Sequence, residues 1–411
     1  MKIGLIKEGK NPPDRRVPFT PQQLSFLSEL YKDTLSFYVE SSPFRCFSDE
    51  EYIQEGIEVV GDNSFCDLLM GVKEVPVSQL IPNKSYVFFS HTIKGQAQNR
   101  KLLQSVLEKN ITLMDYEVLK DEHGNRTVAF GHWAGIVGAY NGLWAYGKKS
   151  GLYDLKRAFE CFDKRELDQE LLKVQLPPIK IVVTGRGRVG KGVVEVLNQV
   201  GIRQVGPKEL LLQYFDEAVY TILSTEEYYR RKTDGGYDKE EFYAFPDKYE
   251  SHFLKFAEVS DILMAASYWD PKAPKLFKME DISSDEFSIS VIADITCDIN
   301  GSIPTTVKNC STLNPIFDID RESFQVLPAF GKQTSISVMA IDNLPTELPR
   351  DASEDFGVQL MQHFIPELIE EESKVLDKAT IAKEGDLTIE FIFLRDYVNE
   401  SEDKIEGHDK G

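Results

Sequence analysis

Three groups of residues have types and spacings that can do chemistry. In "LLMGVKEVP" an apolar run gives way to Lys73 and Glu74, and in "SYVFFSHTIKGQ" another gives way to His91 and Lys94. Open α/β sheets bind ligands outside the carboxyl ends of their strands, so an amine and an imidazole leaving two strand ends can form an acid–base pair. Arg15 and Arg16 in "KNPPDRRVPFTP" follow the first apolar run, "KIGLI", and would add cations for an anionic substrate. Taken singly, each has an ordinary role: a solvated lysine, or a histidine that merely ends a strand.

The third group is Gly185-Arg186-Gly187-Arg188-Val189-Gly190, set directly between the β-branched run "IKIVVT" and the amphipathic stretch "KGVVEVLNQVG". In that setting the first glycine permits a tight turn, the second lets a pyrophosphate approach the backbone, and the third packs helix on strand. Free N–H groups at the start of the helix then bind phosphate. Gly185, Gly187, Arg188, Val189 and Gly190 are therefore candidate dinucleotide ligands, with the arginines of the turn either meeting phosphate or facing solvent. Choice of cofactor depends on the residue closing the second strand: a carboxylate accepts ribose hydroxyls, an arginine tolerates a 2′-phosphate. In "GIRQVGPKEL" Gly206 holds that place, with Arg203 before it and Glu209 beyond a proline, so NAD and NADP both remain open.

Elements able to position these groups are legible in the patterning. Apolar runs ("KIGLI", "LSFYVE", "CDLLMGVKE", "SYVFFSH", "ITLMDYE") alternate with amphipathic ones ("PQQLSFLSELYK", "AQNRKLLQSVLEKN"), the order of an α/β unit with a largely parallel sheet. Thr20-Pro21 predicts an N-cap with proline at the first helical position. "FGHWAGIVGAYNGLWAYGKK" has the small and aromatic residues of a buried helix, either running between domains or serving as plain core. Pro177-Pro178 closes a polar stretch, and a second α/β unit begins at Ile179, with later strands in "AVYTIL", "DILMAAS" and "SISVIADIT". The end of the chain, "NESEDKIEGHDKG", has too few apolar residues to pack and is expected to be disordered.

A chain of 411 residues exceeds one hydrophobic core, which implies two domains. Its formal net charge of −20 repels phosphate backbones and anionic membrane surfaces, which argues against nucleic acid as a partner. The five cysteines are widely spaced and no metal-ligand set is evident; with no signal-like segment and no apolar run of the ~20 residues that span a membrane, the expectation is a cytoplasmic protein with reduced thiols.

Five stretches, "KEGKNPPDRRVPFTP", "GVKEVP", "FFSHTIKGQ", "LMDYEVLKDEHGNRTVAFGHWAGIVG" and "AIDNLPTELPRDAS", occur in the order found in the lysine-forming saccharopine dehydrogenases and the related lysine-oxoglutarate reductase domains, which this chain resembles from about residue 1 to about residue 370. Alanine dehydrogenases and the transhydrogenase nucleotide domains are wider relatives. The resemblance implies two Rossmann-like doubly wound α/β domains with an interdomain cleft: a substrate domain, 1–130, completed by 350–411, and a dinucleotide-binding domain, 131–349. It implies reversible NAD- or NADP-linked oxidation of saccharopine to L-lysine and 2-oxoglutarate, by hydride transfer and imine hydrolysis, without metal, in a monomer or homodimer.

The resemblance also assigns roles. Lys73 takes the proton of the secondary amine, and His91 assists water addition to the imine and its collapse. Arg16 matches a carboxylate-binding arginine, Lys94, Glu117 and Arg126 match positions near substrate, and Asp342 in "AIDNLP" matches an acid between cofactor and substrate. Plainer readings stand beside these: a structural Glu117–Arg126 ion pair, and Asp342 as a helix cap. Around "RKTDGGYDKEEFYAFPDKYESHFLKFAEVSDILMAASYWD" the sequence is similar to the NADPH-linked reductases. Alanine dehydrogenase activity, or dinucleotide binding without turnover, are the alternative functions.

Overall fold

The N-terminal run Lys2–Leu5 forms a central strand, paired in parallel with Ser36–Glu40 on one side and Leu68–Met70 on the other. Outward from these lie Glu58–Val60 on one flank and Ser85–Phe88 and Thr112–Asp115 on the other, all parallel. Numbered by chain position these six strands stand in the order 3-2-1-4-5-6, the doubly wound order. Their direction of progression reverses between Lys2–Leu5 and Leu68–Met70. Ligands bind at the carboxyl ends of such a pair. Lys73 and Glu74 leave one of these strands, and the segment carrying Arg15 and Arg16 leaves the other.

The computed structural model describes residues 1–11 and 14–400, which fall into two units: Met1–Ala129 joined by the chain from Pro349 onward, and Phe130–Leu348. In the first unit the helix Pro21–Leu30 starts as its sequence predicts. Thr20 accepts from the Gln23 amide at 3.3 Å, the Gln23 side chain accepts from the Thr20 amide at 2.9 Å, and Pro21 opens the first turn. The C-terminal segment returns to complete this unit. Helix Pro349–His363 offers Ser353 Oγ to the Val17 amide at 2.9 Å, and Thr380–Lys383 adds antiparallel to Thr112–Asp115. The helix Arg395–Asn399 then meets Ala97–Glu108 through Gln104, which donates to the Val398 carbonyl at 2.7 Å, and through an Arg100–Glu400 ion pair. Sequence patterning placed disorder from Asn399, but Glu400 is paired; the remainder of that stretch, 401–411, lies outside the described residues.

The second unit has its own eight-stranded sheet. Lys180–Thr184 is central, with Ile262–Ala265, Val291–Asp294 and Ile336–Met339 parallel on one side. On the other side the order departs from expectation. Val219–Leu223 pairs directly with Lys180–Thr184, and the two-residue strand Arg203–Gln204 lies outside it. Position 206 therefore does not close the strand beside the glycine turn, as the sequence reading assumed. "RQ" is too short and too exposed to take a central place, whereas "VYTIL" carries the apolar residues a buried strand needs.

Helix Gly131–Ser150 is buried as predicted and lies in this second unit, against the helix Arg188–Val200. The two approach backbone to backbone. A Cβ on Gly135 would stand 2.0 Å from the Val189 carbonyl oxygen, and one on Gly192 would stand 2.1 Å from that of His132. Small residues in both sequences are thus a packing requirement. Gly135→Ala is expected to lower stability by about 1–3 kcal/mol or more, since only backbone movement relieves the overlap; a denaturant midpoint unchanged from wild type would refute so close a contact.

Candidate active site

The site in the first unit is assembled from four strand ends. After Lys2–Leu5, Glu8 turns back so that its two carboxylate oxygens accept the backbone N–H groups of Val72, at 2.6 Å, and Lys73, at 3.0 Å. Burial, the nearby charge of Asp14 and only partial relief from these amides and Arg16 push the Glu8 carboxyl up to about 8. Further along, Asp14 and Arg16 form a buried bidentate pair. Arg16 Nε donates to Asp14 Oδ1 at 2.9 Å and Nη2 to Oδ2 at 2.6 Å, with Arg16 only 2% exposed. Burial acts to raise the Asp14 carboxyl, but the charge and hydrogen bonds of Arg16 outweigh it and hold it down at about 2. Arg15 is exposed.

Lys73 is partly buried, and its ammonium has no hydrogen-bond or ion-pair partner among the described residues. Burial, and then the Arg16 charge, lower its pKa; Glu74 and Asp14 only partly oppose them. The adjoining Glu74 is engaged differently. Its Oε1 lies 2.5 Å from His91 Nδ1 and its Oε2 3.2 Å from Lys10 Nζ. Burial acts to raise this carboxyl too, but the His91 hydrogen bond and charge prevail and lower it to about 2.

His91 sits at φ 54°, a left-handed backbone uncommon outside glycine, and its ring stacks on Phe89 at 6.4 Å with an interplanar angle of 20°. Phe89 is a shared platform. Its amide donates to the Val72 carbonyl at 3.1 Å, the Arg126 guanidinium lies 5.2 Å from its ring centre, and the rings of Tyr116 and Phe356 stand at 5.2 and 5.8 Å. Lys94, about half exposed, pairs with Glu117 at 3.5 Å, so the cation on Glu117 is Lys94 where the plainer sequence reading offered Arg126. Arg126 Nε instead donates to the Val128 carbonyl at 2.9 Å. Beneath them Asp115, fully buried, accepts from the Ser90 amide and hydroxyl and from the Glu117 amide; burial nevertheless raises its carboxyl to about 6.

The structure thus brings Arg16, Lys73, His91, Lys94, Glu117 and Arg126 onto the carboxyl ends of neighbouring strands of one sheet. Sequence reasoning missed Glu8, Asp14, Phe89 and Asp115. The first two lie inside the quoted "KEGKNPPDRR", but nothing in their spacing showed that they fold back onto Lys73 and Arg16.

In the second unit the glycine turn joins Lys180–Thr184 to Arg188–Val200. Gly185 has φ 92°, and a Cβ there would stand 2.8 Å from the Ala266 carbonyl oxygen; a Cβ on Gly190 would stand 2.0 Å from that of Gly185. Gly187, by contrast, faces open space. Arg188 and Val189 open the helix, in the first turn, where backbone N–H groups stand outside the intrahelical ladder and helices bind anions. A cavity of about 550 Å³ adjoins Gly185–Gly187. These features fit a bound dinucleotide. Asp342, in the same unit, is exposed and does not cap the short helix Leu344–Glu347, whose N-cap position is Asn343.

Comparison with known proteins gives a consistent set. The alanine dehydrogenase/PNT N-terminal domain family matches residues 4–137. The saccharopine dehydrogenase (NAD(+), L-lysine-forming) of Neurospora crassa is 30% identical, the alignment covering 81% of this chain and 83% of that protein. The mitochondrial alpha-aminoadipic semialdehyde synthase of Rattus norvegicus is also 30% identical over 98% of this chain, which spans about half the synthase's length, 48%. An L-alanine dehydrogenase structure aligns with TM-score 0.66 at 16% identity, covering 97% of this chain and all of that one. The transhydrogenase from Sinorhizobium meliloti aligns with TM-score 0.59 at 13% identity, covering 94% and 99%. At such identities the two structures establish a shared fold.

Two outcomes test this geometry. Because the folded Glu8 carboxyl keeps its proton up to about 8 while an unfolded one releases it near 4.5, the native state binds more protons between those values and stability falls as pH rises through that window. Glu8→Gln removes this dependence, so the difference in unfolding free energy between variant and wild type should shift in the variant's favour from pH 5 to pH 8. In the second unit, Gly187→Val fills the open space above the turn; calorimetry should find dinucleotide affinity lost while the circular dichroism spectrum is unchanged.

Proposed function

The chain belongs to the saccharopine dehydrogenase family, and from that premise we propose that it is an NAD(P)-dependent oxidoreductase of lysine metabolism that interconverts saccharopine with L-lysine and 2-oxoglutarate. One observation carries the reading: at neighbouring strand ends of the first unit stand a lysine of lowered basicity, with no ammonium partner among the described residues, and a histidine held by the carboxylate of the residue next to that lysine. That is the pair of proton-transfer groups an amine oxidation followed by imine hydrolysis needs.

When bound, the dinucleotide supplies the hydride acceptor, or the donor in reverse. The chain's own groups handle protons and charge. A protonated secondary amine must lose its proton before its α-carbon can release hydride, and Lys73, made less basic by burial and Arg16, accepts it. Glu74, held ionised, accepts from His91 Nδ1, which leaves Nε2 as the nitrogen that delivers and recovers protons during water addition and collapse. Arg16, Lys94 and Arg126 supply the positive field that a tricarboxylate requires in a chain of net charge −20. Arg16 already gives Nε and Nη2 to Asp14, so on this reading Asp14 sets the orientation of the guanidinium presented to a substrate carboxylate.

The test is an absorbance assay with NADH or NADPH and either 2-oxoglutarate plus lysine or pyruvate plus ammonia. Oxidation with the first pair is expected. Turnover of the second pair alone would replace the reading with alanine dehydrogenase, and cofactor binding without either reaction would replace it with a binding protein. Lys73→Met and His91→Gln should each reduce kcat by ~10²-fold or more with cofactor binding retained. In the saccharopine-oxidising direction the rate should rise with pH as Lys73 deprotonates, at a pH below the 10.5 of an ordinary lysine.

A further inference from the structure

His91 follows the strand Ser85–Phe88 with φ 54° and ψ 10°, a left-handed backbone that a residue bearing a Cβ keeps only where its surroundings impose it. Both of its neighbours in the chain are fixed. Ser90 and Thr92 are fully buried, their hydroxyls share a hydrogen bond at 2.7 Å, and the Thr92 amide donates to Ser90 Oγ at 3.2 Å. The group that anchors them stands on the next strand. It is Asp115, which ends Thr112–Asp115 opposite Phe88 and is 1% exposed.

Asp115 accepts three hydrogen bonds. Its Oδ2 takes the Ser90 amide at 3.0 Å together with the Ser90 hydroxyl, and its Oδ1 takes the Glu117 amide at 2.7 Å. A carboxylate only accepts, so the Ser90 proton goes to Asp115 and the Thr92 hydroxyl donates to Ser90 in turn. Burial pushes the Asp115 carboxyl up to about 6 against these donors, which leaves it ionised at neutral pH. Glu117 carries the frame round to the far end of the same turn. It pairs with Lys94 at 3.5 Å, and the Lys94 amide donates to the His91 carbonyl at 3.2 Å. One buried carboxylate thus reaches both ends of the turn from His91 to Lys94, whereas Glu74 and Phe89 meet the imidazole.

Building on the acid–base reading of His91 above, we infer that Asp115 is a positioning residue of this site: through Ser90 and Thr92 it imposes the left-handed His91 backbone that turns the imidazole onto Glu74 and Phe89. Asp115 acts through the histidine and is not itself a proton-transfer group. Asparagine in its place keeps one acceptor oxygen and turns an amide NH2 toward a donor, so either the Ser90 groups or the Glu117 amide lose their acceptor.

Nitrogen NMR of the whole chain, histidine-labelled and in mildly alkaline buffer without substrate or cofactor, tests this without turnover. In wild type the resonances that vanish in His91→Gln should show the proton on Nδ1, the nitrogen bonded to Glu74. Asp115→Asn should move them toward those of a ring whose proton exchanges between both nitrogens, with the chain's other histidines unmoved. Ser90→Ala, which removes the hydroxyl and keeps the amide bond to Asp115, should move them the same way by less. In the assay with 2-oxoglutarate, lysine and reduced cofactor, kcat of Asp115→Asn should fall about tenfold, less than the ~10²-fold of His91→Gln, with KM for the cofactor unchanged. His91 resonances unmoved in a folded Asp115→Asn, or in Ser90→Ala where the first variant does not fold, overturn the inference, as does an unchanged kcat in Asp115→Asn. Wild type inactive in that assay overturns the acid–base reading instead, and the resonances then decide the positioning by themselves.

Discussion

Two consecutive backbone N–H groups, those of Val72 and Lys73, donate to the two carboxyl oxygens of Glu8, and this clamp extends the join between the two central strands of the first unit past the end of their ladder. A parallel sheet leaves the amides at its carboxyl edge unpaired, and a buried unpaired amide is costly. Glu8 satisfies two at once and fixes the backbone of the residue proposed as base. Its carboxyl is itself destabilised by burial, which is why its proton affinity rises so far. Stability at this point is given up to hold a geometry, as is common where chemistry is done.

The same constraint organises the charges around it. An Asp14–Arg16 pair buried from water is no secure source of stability, because desolvation offsets much of the attraction. What it does is set a fixed cation behind Lys73, and that cation, with burial, depresses the lysine's basicity. Phe89 extends the arrangement sideways. Its amide is bonded to Val72 and its ring carries His91 on one contact and Arg126 on another, while Phe356 from the returning C-terminal segment packs against it. The C-terminal segment therefore belongs to the first unit for a physical reason: it supplies one of the rings that pack on Phe89.

Much of this was legible in the sequence, and the reasons for the rest are specific. Strand ends at Lys73 and His91, the capped start of the helix at Pro21 and the glycine turn at Gly185 are local events, written in alternation, N-cap chemistry and turn residues. The fold-back of Glu8 onto Val72 and Lys73 spans more than sixty residues and has no local signature. Exchange of Val219–Leu223 for Arg203–Gln204 beside the central strand is likewise a matter of which segment pairs, not of which segment extends. Both were read as strands or near-strands; only their neighbours were unknown. The pairing of Glu117 with Lys94 follows the same rule, since a charge's partner is set by three-dimensional proximity.

Glu74 and Lys73 show how adjacent residues acquire opposite duties. On a strand end, successive side chains leave in different directions, so neighbours in sequence meet different surroundings. Glu74 turns to His91 and Lys10, two donors whose attraction exceeds the effect of burial, and it stays ionised down to about 2. Lys73 turns to a half-buried place with a cation nearby and no anion bonded to it among the described residues, and its charge is disfavoured. Swapping the two residues would place a carboxylate by Arg16 and an ammonium by His91, losing the amine and taking away the acceptor that holds the ring. The order Lys-Glu at this strand end is therefore required by the charges that face it, and the proposed division of labour, one group free to take a proton and one tied to orient another, follows from that order.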